Sequence, residues 1–447
     1  MRVTSISSVL VIALVACGSH GSAGDDGGTG DDGNGSGDDD GNHHGMTTVT
    51  VTVHGIPMNA AKFSYLAAYQ DGSGPWQLAP APNGDIYSLP INSPVWGFAW
   101  TCIGTPMVGT GPQPQQRQVS DLHFSVNERT SYTIDLPPRC TDRDNGAVLL
   151  KGSLANAPGG GTYVVRFGDR SVQTNFMNAY SLPVQPGTHD LVVVHGSFQI
   201  GNDFIADSAY VQRNLTVGGP TTANVDWDNA ADVQTFGAGF TGNAQHYAGT
   251  TLYTKGGTTA PLVADSNPDF EIEGLDPNEQ TTGDVYDIVM AASGLGQTVA
   301  TSVATDTPID DTFTAPTPLG GATSTVAATP YPIITTTWAA YANAVGYTWT
   351  ATQQPSFIVC GNNMQCTISW EATLSAGVIG AMPSYSMPDL SQLTGWAPAL
   401  QFVTGTQTAG TVQAMTSSVG AGDFPAATPP ALGTARAFAR SAYTVTP

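Results

Sequence analysis

The sequence predicts an all-β protein built of tandem β-sandwich domains, and three observations predict it. Glycine (52) and proline (31) are abundant in a 447-residue chain that is only 11% charged, a composition suited to short strands and many turns. Val49, Val51 and Val53 alternate with threonines, as the buried face of a half-exposed strand does. A rough repeat of about 90 residues is the third sign. Tyr87-Ser88-Leu89-Pro90 returns as Tyr180-Ser181-Leu182-Pro183, and Phe270 to Leu275 falls one further repeat along. Short strands at this spacing point to sandwiches rather than to alternating strands and helices.

The chain opens with Arg2 and an apolar run from Val9 to Ala16, the two leading parts of a secretory signal. A membrane-spanning helix needs roughly 20 apolar residues, and this run has eight. Leu14-Val15-Ala16-Cys17 resembles a bacterial lipobox. The resemblance implies removal of residues 1–16, lipidation of Cys17 as the first mature residue, and, because Gly18 rather than Asp follows, delivery to the outer membrane. Two or more acyl chains hold a protein durably where one does not. Residues 17–46 then carry the lipidated cysteine and a linker of Gly, Asp, Ser and Asn. Such a linker has too little apolar surface to offset its ordering entropy and is expected to be disordered. Asp32 to Gly37 matches half of an EF-hand loop, but His43 stands where the bidentate Glu belongs, so a solvated spacer is expected there.

Residues 47–142 are read as the first sandwich, 143–230 as the second, 231–318 as an acidic third and 319–447 as a C-terminal β domain. In the first, Phe63 to Tyr69 leads through Asp71-Gly72-Ser73-Gly74-Pro75 to Trp76-Gln77-Leu78, a strand, a turn and a strand. In the second, Tyr180 to Val193 with its Pro186-Gly187 turn resembles the carboxypeptidase regulatory-like sandwich, which implies an accessory module without catalytic residues. In the last, Ile333 to Trp338 and Val345 to Thr352 resemble early strands of a fibronectin type III domain, which implies Trp338 packing beneath a Tyr347-Thr348-Trp349 strand. Taken whole, the chain resembles outer-membrane lipoproteins of the myxobacterial type. That resemblance implies location and architecture but no reaction.

Acidic residues outnumber basic ones 35 to 13, for a formal net charge of −22. This excludes a nucleic-acid partner, whose phosphates call for Lys and Arg. Apart from Cys17, four cysteines remain, an even number that reads as two disulfides in an exported chain. Proximity pairs Cys102 with Cys140 and Cys360 with Cys366.

No Gly-x-Ser-x-Gly elbow, His-Glu-x-x-His or phosphate loop is present. His54, His123, His189, His195 and His246 are scattered among predicted strands, and His189 and Asp190, as strand neighbours, are expected to face opposite ways. Asp265, Asp269, Glu271 and Glu273 form the one candidate Ca²⁺ site, set against a plain solvated strand face that resists edge pairing. Trp76, beside its glycine-rich turn, is the tryptophan placed best to meet a sugar. The expected protein is a lipid-anchored cell-envelope spacer or binding and adhesion module, without enzymatic activity. Its partners are the membrane and a glycan, matrix or envelope protein. The competing expectation is an exported hydrolase whose site is assembled from dispersed residues.

Overall fold

A computed structural model of the chain describes residues 46–55, 63–104, 115–136, 140, 146–174, 179–198, 204–241, 247–265, 271–294, 297–308, 311–355, 366–380, 382–426 and 428–447. The signal, Cys17 and the linker up to residue 45 lie outside them. So do His246, Asp269 and Cys360. Among the described residues no α-helix occurs; every long element is a strand.

The strands fall into four units. Unit 1 holds β1 (Thr47–His54), β2 (Phe63–Asp71), β3 (Gln77–Leu78), β4 (Ile86–Ile91), β5 (Val95–Gly104), β6 (Gln115–Ser125) and β7 (Ser131–Asp135). Unit 2 holds β8 (Val148–Ala155), β9 (Thr162–Phe167), β10 (Arg170–Thr174), β11 (Ala179–Val184), β12 (Gly187–Phe198), β13 (Phe204–Val217), β14 (Thr221–Thr222) and β15 (Val225–Asp226). Unit 3 holds β16 (Ala231–Asp232), β17 (Gln234–Thr241), β18 (Tyr247–Tyr253), β19 (Thr259–Asp265), β20 (Glu271–Gly274), β21 (Val285–Gly294), β22 (Gln297–Thr305) and β23 (Asp311–Thr314). Unit 4 holds β24 (Thr323–Ala327), β25 (Ile333–Thr337), β26 (Gly346–Gln353), β27 (Cys366–Ser375), β28 (Ser384–Ser386), β29 (Thr408–Ser417) and β30 (Ala435–Val445).

Units 1 to 3 repeat one plan. An early strand pairs antiparallel with a later strand and parallel with the closing segment of its unit, giving the small sheets β4-β1-β7, β11-β8-β14 (with β15 also on β8) and β20-β17-β23. The repeated Tyr-Ser-Leu-Pro segments are the equivalent strands β4 and β11, with Leu89 opposite Val49 and Leu182 opposite Leu150. Ile272 of β20 takes the same place opposite Phe236. Alternation puts Tyr87, Leu89 and Ile91 inside, and burying each such side chain contributes about 1.5–3 kcal/mol. In unit 4 the small sheet is β24-β25-β28.

The remaining strands join into one long sheet that passes through all four units. Its order is β10-β9-β12-β13-β19-β18-β21-β22-β30-β29-β26-β27-β6-β5-β2-β3. Among the described residues no pairing joins β10 to β3. Its units follow in the order 2, 3, 4, 1. The first unit therefore docks on the last: β6 runs parallel to β27 from Gln115 opposite Cys366 to His123 opposite Leu374.

Small sheets cover both faces of this long one. On β22, Val299 enters the unit 4 core and Val303 packs against the unit 3 core, so those two small sheets share a face. On β5, Ala99 enters that same unit 4 core while Trp96, Phe98 and Trp100 turn to the unit 1 core on the other side. Burial on both faces explains why β5 reads as an almost unbroken apolar run.

Candidate functional site

Cys102 and Cys140 form the expected disulfide, closing a separation of 38 residues. Cys366 is disulfide-bonded and buried; its expected partner Cys360 lies outside the described residues. Asp265 ends β19 in the long sheet and Glu273 sits on β20 in a small sheet, at 7% and 3% exposure. Nothing is described of the Glu271 side chain. Among the described residues no three His, Cys, Asp or Glu side chains gather as metal ligands. The reading of a solvated face fails at Glu273, because Ile272, Glu273 and Gly274 are all buried and β20 is covered on both sides.

The most organised polar site lies where unit 1 meets unit 4. Strand alternation places Asp121 and His123 of β6 on one face. His123 Nε2 donates to Asp121 Oδ2 at 2.9 Å, and Tyr385 of β28 donates its hydroxyl to the same oxygen at 2.8 Å. Asp121 Oδ1 is buried with no partner among the described residues. Trp76 sets its edge against the His123 ring, centroids 5.9 Å apart at 86°, and Tyr385 closes the other side at 6.2 Å. Glycine at 97 makes room for this, since an added Cβ would lie 3.1 Å from both His123 Nδ1 and Trp76 Cη2. Burial opposes charge on His123, but the adjacent Asp121 carboxylate holds its pKa above the ordinary imidazole value. Burial, reinforced by Asp121, drives the Tyr385 phenol well up.

Chemically this is a proton-linked brace. Its second ring nitrogen lies against the Gly97 backbone, and no Ser, Thr or Cys side chain is hydrogen-bonded to it among the described residues. The other described histidines are engaged in the same manner. His54 meets Asp135, His189 meets the Gly256 carbonyl, and His195 meets Asp207 and the Gly160 carbonyl. Trp76 thus packs on a histidine, and Trp96, Trp100, Trp349 and Trp370 are core residues.

A second cluster joins units 2 and 3. The β12–β13 register slips between His189 and Leu191, where Asn214 adopts φ +53° as a bulged residue does. The Asn214 amide donates to Asp190 Oδ1 at 2.8 Å. Arg213 reaches Asp190 Oδ2 at 3.0 Å and Asp284 Oδ2 at 2.7 Å. The extra residue of the bulge lies on β13, so β12 keeps its alternation: His189 packs on Phe167 of the unit 2 core while Asp190 turns to Arg213, and both reach Gly256, His189 at its carbonyl and Asp190 at its amide. Burial raises the Asp190 pKa, yet the Asn214 amide and Arg213 together lower it below the usual carboxylate range.

The i, i+2 pair Asp121 and His123 is visible in the sequence once β6 is assigned. Tyr385 and the bulge at Asn214 carry no sequence signal of comparable clarity.

No protein-family model matches the chain, and no curated protein does. Solved structures show weak likeness. The Bacillus anthracis TIE protein matches at 8% identity and TM-score 0.14, over 60% of this chain and 50% of that one, so the chain spans about half of its length. A streptococcal ancillary pilin matches at 9% identity and TM-score 0.14, covering 61% of this chain and 98% of the pilin. The chicken CNTN1 FN1-FN3 domains match at 10% identity and TM-score 0.17, over 86% and 89% of the two chains.

Proposed function

We propose that this chain is a lipid-anchored protein of the outer membrane whose four sandwiches act together as one rigid, non-enzymatic binding body. The observation that carries the reading is the long sheet. Its hydrogen bonds run from unit 2 through units 3 and 4 to unit 1, so the body resists bending between units. Behind a lipidated Cys17 and an acidic linker, such a body presents fixed surfaces to a glycan, matrix or envelope protein. The engagement of His54, His123, His189 and His195 by carboxylates and carbonyls supports the non-enzymatic reading over a hydrolase. In unit 4, a β24-β25-β28 sheet opposes β27-β26-β29-β30, and Trp338 lies 5.5 Å from Tyr347. Both support the fibronectin type III-like reading of residues 319–447.

The test is metabolic labelling with a fatty-acid probe, combined with protease shaving of intact cells that carry a C-terminal tag. The full chain is expected to incorporate label and Cys17→Ser to lose it. Label retained in Cys17→Ser overturns the anchor. Shaving then assigns the face of the membrane: loss of the tag places the body outside the cell, and protection places it in the periplasm.

A further inference from the structure

The expected linker, residues 17–46, ends where β1 begins. Any pull on that linker meets β1 first, at its N-terminal end. β1 lies between two partners. It runs parallel to β7 from Thr50 opposite Ser131 to His54 opposite Asp135, and antiparallel to β4 from Thr47 opposite Ile91 to Thr52 opposite Ile86. Because β1 and β7 are parallel, the linker joins the pair at one end while β7 continues toward Cys140 and unit 2 at the other. A load along the strands is then shared by evenly spaced ladder bonds. A load across one end breaks them one at a time.

Side chains tighten this grip. Val49, Val51 and Val53 are fully buried, and a slip by one residue turns all three out of the core. At the far end of the ladder His54 Nδ1 meets Asp135 Oδ1 at 3.0 Å. Beyond it Cys140 is bonded to Cys102 of β5, and β5 is paired with both β2 and β6 in the long sheet. The segment after β7 is therefore tied covalently to the body at the end away from the linker, so β7 cannot follow β1 when β1 is drawn out.

The other units set unit 1 apart. The equivalent parallel contacts join four residues of β17 to β23 in unit 3, and two residues each of β14 and β15 to β8 in unit 2. In unit 1 they join five. The longest of these ladders thus belongs to the unit beside the linker. Units 2 and 3 contain no cysteine, so a bridge of this kind belongs to unit 1 alone among the three.

We propose that unit 1 is a shear clamp that holds the body against tension delivered through the N-terminal linker. The direction of load rests on the anchored reading; the clamp itself rests on β1, β7 and the Cys102–Cys140 bridge. The experiment is single-molecule pulling of the detergent-solubilised full chain, with one handle at Ser36 in the linker and the other at Asn83 or Asn127, both exposed. Asn83 stands before Ile86, at the far end of β1, and Asn127 stands before Ser131, at the linker end. With the Asn83 handle β1 is expected to yield at a force at least about twice that with Asn127, since forced unfolding reads the unfolding rate. Thr50→Pro removes the amide that donates to the Thr130 carbonyl at 2.9 Å and is expected to lower the first force more than the second. A handle at Gly218, where a side chain would meet nothing within 4 Å, sends the load out through Cys140. In that geometry the Cys102→Ser, Cys140→Ser double variant is expected to yield at a lower force than the parent chain. Equal forces with the Asn83 and Asn127 handles in the parent chain overturn the clamp. A force unchanged in the double variant overturns the part given to the bridge. Unequal forces in a chain whose Cys17 carries no lipid overturn the anchor instead and leave the clamp standing.

Discussion

Tyr385 and Asp121 are 264 residues apart in sequence and are joined by a 2.8 Å hydrogen bond in a buried setting. With Asp121 Oδ1 already unpartnered among the described residues, the carboxylate depends on Tyr385 and His123 for its hydrogen bonds. Tyr385→Phe removes one of them and little volume. It is expected to cost about 1–3 kcal/mol of unfolding free energy, read as a lower urea midpoint at unchanged slope. A midpoint equal to that of the parent chain would remove Tyr385 from the brace.

The same brace makes stability depend on pH. An unfolded histidine titrates near pH 6.5, and Asp121 holds the folded His123 higher. A pKa raised by folding stabilises fully below the unfolded value and fades as pH rises through the folded one. The stability difference between the parent chain and His123→Gln should therefore be largest below about pH 6.5 and shrink as the solution becomes alkaline. Urea titrations across that range measure it; a difference constant with pH would sink the assignment.

Arg213 is the guanidinium between Asp190 and Asp284, whose side chains are 2% and 1% exposed. Removing it leaves two buried carboxylates facing each other. Arg213→Met is expected to cost about 3 kcal/mol, at the low end for such a loss because Arg213 itself is 23% exposed. The Asp190 pKa is lowered by folding, so its contribution holds above about pH 4 and is lost as pH falls through the folded value. The acid limb of the parent's stability curve should thus flatten in Arg213→Met, as followed by tryptophan fluorescence.

The Cys102–Cys140 bridge joins the buried end of β5 to the segment after β7. Closing a loop of 38 residues restricts the unfolded chain by up to about 4 kcal/mol. The Cys102→Ser, Cys140→Ser double variant should lose stability on that scale, and a reducing agent should then have less further effect on it than on the parent chain. A double variant as stable as the parent would show that unit 1 gains nothing from the bridge.

Local signals in the sequence carried most of the strand pattern. Val49, Val51 and Val53 alternate as half-buried strands do, and the two Tyr-Ser-Leu-Pro segments occupy equivalent places as β4 and β11. Trp338 packs on Tyr347 as its resemblance implied. Pairings between units were not legible. Nothing local to β6 distinguishes a parallel partner at Cys366 to Leu374 from any other strand, because the choice is made by which edges and faces remain free after each unit folds. Asp121 was overlooked for the same reason: its role exists only once β28 brings Tyr385 to it. At Asn214 the left-handed turn that sequence rules associate with glycine is taken by asparagine, the next most tolerant residue.

The parallel union of β6 and β27 sets an order of events for the newborn chain. Some 240 residues lie between Ser125, where β6 ends, and Cys366, where β27 begins. Synthesis at roughly 5–20 residues per second leaves β6 waiting for its neighbour for on the order of tens of seconds. An unpaired strand edge invites pairing with other chains. Arg117 and Asp121 on β6 put opposite charges on the strand that waits, and a holdase that shields this edge until the C-terminal strands emerge would protect the chain at its most vulnerable stage.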